Sequence, residues 1–489
     1  MTFATTRADR RWSALALIVT AQFMVILDVA IVNVALPSIR TDLHFSQESL
    51  QWVITAYAIF FGGFLLLGGR LADLLGRRRL FIGGLALFAA SSLLCGLAWS
   101  EASLIGFRAV QGLGGALLAP AALSLLMTTF AEGRERNLAL GIYGAASGSG
   151  AAAGVLLGGV LTSYLSWSWI FFINVPVGVV AIALTPLLLR ESRAEVRHRH
   201  FDVMGAVTVT SGLMLLVYAM TRATSDGWTS GTTIGLLAGS LALVLAFVVT
   251  ELRSPAPLLP LRIFRSRTLS AANVTMAVVG GVTFSEFFVL TLYLQDVLHY
   301  SAVETGVAFV AFALTVVAMS NVAQVVVGRL GVRATLTAGL VVSAVSVAWL
   351  TRLPVDGQYF WDLFPAFVLG GAGMGFSFVP VTIASLSGVG RSEAGVASGL
   401  VNTSRQIGGA IGLAAVSAIA AASTTSFADD HGVAASSTLA LDHGFRTGLI
   451  VLAGLLVLGA VVAAGFIRPQ PAPAERRVEL DAELLQEAA

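Results

Sequence analysis

"GGRLADLLGRRR" (68–79) concentrates charge in a chain of which only 11% of the residues are charged. Its charged side chains are Arg70, Asp73, Arg77, Arg78 and Arg79. The sequence is apolar for about twenty residues on either side, including "VITAYAIFFGGFLLL" (53–67) and "LFIGGLALFAASSLLCGLAW" (80–99). A helix rises about 1.5 Å per residue, so each stretch is long enough to cross a hydrocarbon layer. We predict two transmembrane helices joined by a short charged loop at the membrane surface.

The whole chain has the composition of a polytopic membrane protein. Hydrophobic residues make up 56% of its 489 residues and the mean hydropathy is +0.86, whereas about half of a soluble domain is apolar. The apolar runs predict about fourteen membrane-spanning helices in an all-α integral membrane protein. Their predicted bounds are 13–36, 50–69, 80–99, 102–127, 138–162, 168–189, 203–222, 232–250, 269–295, 303–327, 333–350, 361–385, 394–421 and 446–467.

An even number of spans places both termini on one side of the membrane. About 23 of the arginines fall in loops on that side, about 4 in loops on the other side and about 2 inside helices. Positive charge is retained in the cytoplasm, so both termini are predicted to be cytoplasmic and the protein to lie in the cell membrane. The basic linker at 193–200 follows the same rule, and no nucleic-acid partner is expected. A long polar outer loop is predicted at 423–445.

The chain contains no lysine. This excludes the phosphate-binding loop that ends in Gly-Lys-Ser/Thr, and therefore an ordinary ATP-driven pump, as well as a retinal Schiff base. The single cysteine, Cys95, leaves no disulfide framework, and the six histidines lie in predicted loops or at span edges. We expect no enzymatic activity, no cofactor and no metal. Energy would come from an ion gradient.

An internal repeat relates two parts of the chain at an offset of about 258–260 residues. "FRAVQGLGGALLAP" (107–120) aligns with "FVLGGAGMGFSFVP" (367–380). Such a duplication predicts two six-helix bundles that rock around a central cavity, with two spans inserted between them. The predicted units are an N-terminal bundle (1–195), two extra spans with their linkers (196–262), a C-terminal bundle (263–468) and a cytoplasmic tail (469–489).

Several motifs resemble those of one family. The similar stretches are "LDVAIVNVALP" (27–37) in the first span, "GGRLADLLGRRR" (68–79) in the loop after the second, "LIGFRAVQGLGGA" (104–116) in the fourth, "GIYGAASGSGAAAGVLLGG" (141–159) in the fifth and "NTSRQIGG" (402–409) in the thirteenth. The fifth-span motif departs from the family pattern, since Ala151 and Val155 stand where prolines are common. Over nearly its whole length the chain resembles the fourteen-span drug:proton antiporters of the major facilitator superfamily.

The resemblance implies that the charged loop is a conformational latch, which holds the two bundles in the outward-open state and releases on closing. Asp73 could accept hydrogen bonds from Arg70 or Arg77, or cap a neighbouring helix. A static surface bridge is the alternative. The predicted latch residues are Gly69, Arg70, Asp73, Gly76, Arg77 and Arg78.

Glycines in the fifth predicted span form a stripe at three- and four-residue spacing, along which another helix can approach closely. They are Gly144, Gly148, Gly150, Gly154 and Gly158. The resemblance implies that this stripe seals the bundle against leak and accompanies antiport. Ordinary tight packing is the alternative.

Ionisable groups deep in the predicted spans are a strong functional signal, because burying one in lipid costs at least about 2.5–3.5 kcal/mol. Asp28, Arg108 and Glu286 fall in the outer half of their spans, and we predict that they couple transport to protons. Other side chains are predicted to line a substrate cavity, although a single polar residue can instead join two helices. The predicted cavity residues are Gln22, Asn33, Tyr57, Gln111, Glu286, Phe287, Tyr293, Gln295 and Arg405.

Glu286 stands where the resembling family leads us to expect an apolar residue. Its carboxyl group has three possible roles: a second proton site, a receptor for a cationic substrate, or a neutral acid hydrogen-bonded within the bundle. Phe287 and Tyr293 would suit a flat or cationic guest, although aromatic residues in a span also serve as packing.

The sequence predicts a monomeric secondary transporter that exports small hydrophobic or amphipathic compounds, such as drugs or antibiotics, in exchange for protons by alternating access. A proton-coupled importer on the same fold is the first alternative. A transport-inactive sensor or scaffold that works through the C-terminal tail is the second. The expected partners are a small-molecule substrate, protons and the lipid bilayer, and the sequence does not predict which compound is carried.

Overall fold

The structure is a computed structural model, of which we describe residues 7–46, 49–130, 134–192, 202–254, 257–259, 261–386 and 394–468. Within these ranges every regular element is a helix. The α-helices are α1 (Arg7–Leu43), α2 (Trp52–Leu75), α3 (Arg77–Gly96), α4 (Glu101–Thr129), α5 (Arg134–Tyr164), α6 (Trp169–Phe172), α7 (Asn174–Leu188), α8 (Val203–Asp226), α9 (Gly231–Arg253), α10 (Arg267–Leu292), α11 (Ala302–Leu350), α12 (Phe364–Leu386), α13 (Ala394–His431) and α14 (Thr438–Phe466). A 3-10 turn (Leu261–Arg265) precedes α10, and π turns follow α10 (Tyr293–Val297) and precede α12 (Tyr359–Leu363).

Twelve helical segments of the described chain are long and apolar enough to cross a membrane, so the protein is a multi-pass membrane protein. One of them, α11, is 49 residues long and contains two helices that meet at Gly331, whose backbone is not helical (φ 78°, ψ 167°). Glycine adopts this backbone conformation at little steric cost. The spans predicted at 303–327 and 333–350 both lie in α11. The span predicted at 138–162 lies in α5, whose described apolar part is Ala152–Tyr164.

The outer loop predicted at 423–445 is wrong in its extent. α13 continues to His431 and α14 begins at Thr438, so the connection is much shorter. Gly432 follows α13 with a left-handed backbone (φ 66°), and the Ser437 hydroxyl caps α14 by accepting a hydrogen bond from the Ala440 amide at 3.4 Å. Low hydropathy marks where a chain can leave the membrane. It does not mark the end of a helix, because polar residues can continue one in water.

The helices pack in two sets and an additional pair. We call α1–α7 (residues 7–192) the first half, α10–α14 with their flanking turns (residues 261–468) the second half, and α8 with α9 the inserted pair. α8 also packs on α2 and α13. The halves meet where α1 contacts α10, α5 contacts α11 and α2 contacts α13. A functional site can therefore draw residues from both halves along these three contacts.

Candidate functional site

A buried hydrogen-bonded cluster surrounds Asp28 in the middle of α1. Arg108 of α4 donates from NH1 to Asp28 Oδ2 at 2.7 Å. The other carboxylate oxygen, Oδ1, accepts from Gln111 Nε2 and from Asn174 Nδ2, each at 2.8 Å. None of these four side chains is more than 1% exposed. The carboxylate is thus removed from water, and its charge is balanced by one guanidinium and two amides.

Ser92 of α3 joins the cluster from the other side. Its Oγ accepts from Gln111 Nε2 at 3.1 Å and from Asn174 Nδ2 at 3.0 Å, and it donates to the Phe171 carbonyl at 2.9 Å. Helices α1, α3, α4, α6 and α7 of the first half are therefore joined by one continuous polar network. A change at Asp28 alters the partners of every other member.

Arg108 also connects the cluster to α2. Its Nε donates to the Val53 carbonyl at 2.9 Å, and its guanidinium lies 4.4 Å from the centre of the Tyr57 ring. A Cβ at Gly112 would clash with the Tyr57 carbonyl oxygen, so α4 comes this close to α2 because position 112 is glycine. The buried Tyr57 hydroxyl has no hydrogen-bond partner. It is therefore available to a ligand.

The sequence predicted Asp28, Arg108, Gln111 and Tyr57 as site residues but missed Ser92 and Asn174. Asn174 was detectable as an amide within an apolar span. Ser92 was not, because a serine in a helix usually bonds the carbonyl of its own preceding turn, as Ser91 does with Leu87 at 2.6 Å.

The second half holds two charged side chains that lack ionic partners. The Glu286 side chain in α10 is only 5% exposed and forms no hydrogen bond or ion pair with any described residue. Arg405 in α13 has a buried Nε without a partner, and its guanidinium interacts electrostatically with the Tyr57 hydroxyl across the contact between the halves. The structure thus pairs Asp28 with Arg108 and leaves Glu286 outside that cluster.

Other predicted cavity residues have partners of several kinds. Tyr143 of α5 donates to Gln22 Oε1 at 2.7 Å, and Asn33 donates to the Val29 carbonyl of its own helix at 2.9 Å. Phe287 stacks on Phe309 with ring centres 4.8 Å apart. These contacts join α1 to α5 and α10 to α11.

Tyr293 and Gln295 lie near the end of α10, in the π turn that follows it. The Tyr293 hydroxyl donates to the Pro354 carbonyl at 2.6 Å, and Gln295 Nε2 donates to the Val34 carbonyl of α1 at 2.9 Å. Gln295 therefore joins the two halves, whereas the Tyr293 bond stays within the second.

The two halves are joined at the end of the molecule opposite the beginning of α1. Arg40, near the end of α1, donates NH1 and NH2 to the two carboxylate oxygens of Asp296, each at 2.8 Å. The side chains are 27% and 12% exposed, so the pair is partly shielded from water. α5 contacts α11 at the same end, where a Cβ at Gly159 would lie 2.6 Å from the Ala302 carbonyl oxygen. Sequence reasoning missed this ion pair because its members are 256 residues apart.

The charged loop predicted at 68–79 is wrong in its extent: Arg70 and Asp73 lie in α2, arginines 77–79 begin α3, and Gly76 alone separates the two helices. This charged segment is bound to the residues that follow α7. Glu191, just beyond α7, accepts a hydrogen bond from the Arg78 amide at 3.1 Å and lies 3.8 Å from Arg79 Nε. Arg77 donates its amide to the Ser192 carbonyl at 3.0 Å. Gly76, with φ 111°, leaves room for the Glu191 carboxylate. The side chain of Asp73 lies outside the described residues, so the latch stays a prediction.

The described part of the glycine stripe faces α1. A Cβ at Gly154 would lie 2.7 Å from the Ala30 Cβ, and one at Gly158 would lie 2.8 Å from the Ile31 carbonyl oxygen. Gly150 faces Phe23 and Ile26 in the same way. These glycines allow α5 to pack closely on the helix that carries Asp28, while Gly144 and Gly148 lie outside the described residues.

Comparison with known proteins identifies related transporters. Residues 18–413 match the model of the Major Facilitator Superfamily. The puromycin resistance protein pur8 of Streptomyces alboniger is 40% identical over 458 residues, covering 93% of this chain and 91% of that protein. The cephamycin export protein CmcT of Amycolatopsis lactamdurans is 41% identical over 424 residues, covering 86% and 87%. The tetracenomycin C resistance and export protein of Streptomyces glaucescens is 36% identical over 413 residues, covering 84% and 76%.

Solved transporter structures share the fold at low sequence identity. The peptide-transporter-family protein PepTSo superposes with a TM-score of 0.67 at 15% identity, covering 93% of this chain and 97% of that chain. A bacterial homologue of the human lysosomal transporter Spinster gives a TM-score of 0.65 at 16% identity, covering 95% and 99%. At such identities the likeness concerns the helical architecture alone.

Proposed function

The chain belongs to the major facilitator superfamily, and we propose that it is an antiporter that exports small hydrophobic or amphipathic compounds, including antibiotics, in exchange for protons. Three relatives that align over most of this chain are antibiotic export or resistance proteins. The observation that carries the proton part is the cluster around Asp28. A carboxylate with a guanidinium and two amides around it loses favourable contacts when it is protonated, so protonation and network rearrangement are linked.

The coupling works by competition between proton and substrate. A proton on Asp28 weakens the Arg108 ion pair, and the released guanidinium, which lies over Tyr57, changes the surface offered to a substrate. Substrate and proton therefore favour different states of one site, and the gradient drives the exchange. Glu286 and Arg405 contribute the substrate contacts of the second half, where each lacks an ionic partner.

Alternating access requires that the contacts at the Arg40–Asp296 end break while the opposite end closes. With both termini in the cytoplasm, that end is the outer one and this conformation faces inward. We further propose fourteen crossings: the twelve segments described above, a second crossing by α11 after Gly331, and one by α5. We keep the boundaries predicted from the sequence. They are 1–195 for the N-terminal bundle, 196–262 for the inserted pair with its linkers, 263–468 for the C-terminal bundle and 469–489 for the cytoplasmic tail. The charged loop remains our proposed latch.

The test uses inverted membrane vesicles, in which an exporter takes up substrate when the interior is acidified. Uptake of puromycin, a cephamycin and neutral drugs is measured with and without a pH gradient. Proton-dependent uptake supports export, whereas proton-dependent release from preloaded vesicles would identify the importer. Absence of flux for the whole panel, with tolerance unaffected by deletion of the gene, would favour the sensor or scaffold.

Glu286→Gln should reduce efflux of cationic compounds while proton-driven efflux of neutral compounds persists. The substitution keeps size and hydrogen bonding but removes the charge, and losing one partner of a buried charge pair costs about 2–5 kcal/mol, which corresponds to about thirtyfold or more in affinity. Initial rates with cationic and neutral probes in the same vesicles measure the difference. Glu304→Gln, at an exposed capping position of α11, serves as the matched control. Equal loss for both probe classes would assign Glu286 to proton coupling, and no loss would leave a structural role.

Joining positions 40 and 296 should stop transport. After Arg40→Cys and Asp296→Cys, a bifunctional thiol reagent with a reducible spacer would tether the halves at the outer end. The one native cysteine, Cys95, is buried, so cross-linking would report the introduced pair. Transport should fall to background on cross-linking and return on reduction, whereas single-cysteine variants should be unaffected by the reagent. Continued transport in the tethered protein would show that this end does not need to open.

A further inference from the structure

Two acidic side chains meet at one end of the inserted pair. Asp202 precedes α8 and Glu251 lies in the last turn of α9, and they are 6% and 4% exposed. The Cβ position of Gly205 lies 2.9 Å from Asp202 Oδ1 and 2.9 Å from Glu251 Oε1. The two oxygens are therefore at most about 5.8 Å apart, and the glycine leaves the space between them open.

Each carboxyl group has one oxygen with a partner and one without. Asp202 Oδ1 caps α8 by accepting from the Gly205 amide at 2.7 Å, and Glu251 Oε2 accepts from the Leu259 amide at 3.0 Å. Asp202 Oδ2 and Glu251 Oε1 are buried without any hydrogen bond. Both side chains are more than nine-tenths buried, so water does not compensate these two oxygens as it would at the surface.

Neither acid forms an ion pair with a cation of the described chain. The packed elements present Leu67 and Leu71 of α2, Ala206 of α8, and Leu258 of the segment after α9. Among the described residues, the charged group that acts on Glu251 is Asp202. Arg253, two residues after Glu251, forms no ion pair with it, and Arg70 of α2 has a partner of its own. Two ionised carboxylates so close together in an apolar setting repel each other and lack hydration.

We propose that Asp202 and Glu251 together bind one proton, forming a proton site in the inserted pair that is separate from Asp28. One proton removes the repulsion and provides an O–H donor for an oxygen that lacks a partner. The singly protonated pair also keeps Glu251 bound to the Leu259 amide. Residues 257–259 and the turn after them pack beside Leu66 of α2 and Leu400 of α13, two helices that belong to different halves. The proposed proton site therefore lies beside the contact between α2 and α13, where the two halves meet.

The test is labelling of the whole protein with dicyclohexylcarbodiimide, which reacts with protonated carboxylic acids in apolar surroundings, followed by peptide mapping. At neutral pH we expect an adduct on Asp202 or Glu251. In Glu251→Gln the labelling of Asp202 should be at least tenfold below the total labelling of the pair in the wild type, because an amide donor replaces the like charge and the helix N-terminus then favours the ionised aspartate. Asp202→Asn is the reciprocal variant, and it serves if the first does not fold. Asp226→Asn, exposed at the other end of α8, is the matched control and should leave the labelling unchanged.

The infrared band of a protonated carboxyl group gives an independent measurement. It should be present near neutral pH in the wild type and should lose the contribution of one group in both Glu251→Gln and Asp202→Asn. A wild type that is unlabelled at both positions would overturn the proposal, because both acids would then be ionised. Labelling of Asp202 in Glu251→Gln as strong as the total labelling of the pair in the wild type would also overturn it, since Asp202 would then hold a proton without the second acid.

Discussion

Asp28→Asn should abolish proton-driven efflux while exchange of substrate across the membrane continues. Asparagine has nearly the size of aspartate but takes no proton near neutral pH, so the cycle loses the step that ties a proton to the change of state. Net uptake into acidified inverted vesicles should fall to the level of empty vesicles. Exchange of labelled for unlabelled substrate, which needs no net proton movement, should remain measurable. The two assays together separate loss of coupling from loss of folding.

Asp42→Asn is the matched control, because Asp42 lies in the same helix near its exposed C-terminal end. It accepts a hydrogen bond from Trp167 Nε1 at 2.7 Å and has no place in the Asp28 cluster. Proton-driven efflux should therefore survive this substitution. If Asp28→Asn kept proton-driven efflux with normal stoichiometry, the coupling carboxyl would have to lie elsewhere, and Glu286 would be the next candidate.

Hydropathy predicted a multi-pass helical membrane protein because lipid imposes long apolar stretches directly on the sequence. The resemblance to the major facilitator superfamily is confirmed by the family match over residues 18–413. Hydropathy was less informative where helices extend into water, as at the end of α13. It also could not foresee that Gly331 joins two helices without an intervening loop.

The candidate site was predictable as a set of residue types and not as a set of contacts. A charged residue inside a membrane span is energetically costly and therefore rare, so Asp28, Arg108 and Glu286 were each detectable from the sequence. Which of them pair depends on the rotation and packing of separate helices, and a single sequence does not specify that. Glu191 and Asp296 were missed for a related reason: each is an ordinary acid near a helix end until folding brings an arginine to it.

Arginines 77–79 of the opening motif and Arg108 differ in their burial and in their partners. Arginines 77–79 lie at the end of the first half, where Glu191 binds the loop near water and each exposed pair contributes little to stability. Arg108 is 1% exposed and faces a fully buried carboxylate. The same residue type thus binds Glu191 near the surface and Asp28 in the interior. Burial and the partner decide between these roles.

Arg108→Ala should destabilise the protein by about 3–5 kcal/mol, because it leaves the buried Asp28 carboxylate without its cation. The lost hydrogen bonds include those to Asp28 Oδ2 and to the Val53 carbonyl, and the second of these joins α4 to α2. Thermal unfolding in detergent measures the change. The double variant Arg108→Ala with Asp28→Asn should recover part of the loss, since it removes the unpaired charge together with its partner.

The transport assay separates this electrostatic role from simple packing. A nearby positive charge favours the ionised carboxylate, so any efflux left in Arg108→Ala should have its pH optimum shifted upward. Arg108→Lys keeps the charge but lacks the planar fork that bonds Asp28, Gln111 and Val53 together. It should therefore retain more stability than alanine and a pH optimum closer to that of the wild type. If alanine and lysine were equally destabilised and the double variant recovered nothing, Arg108 would be a packing residue, and the coupling proposal would lose its cation.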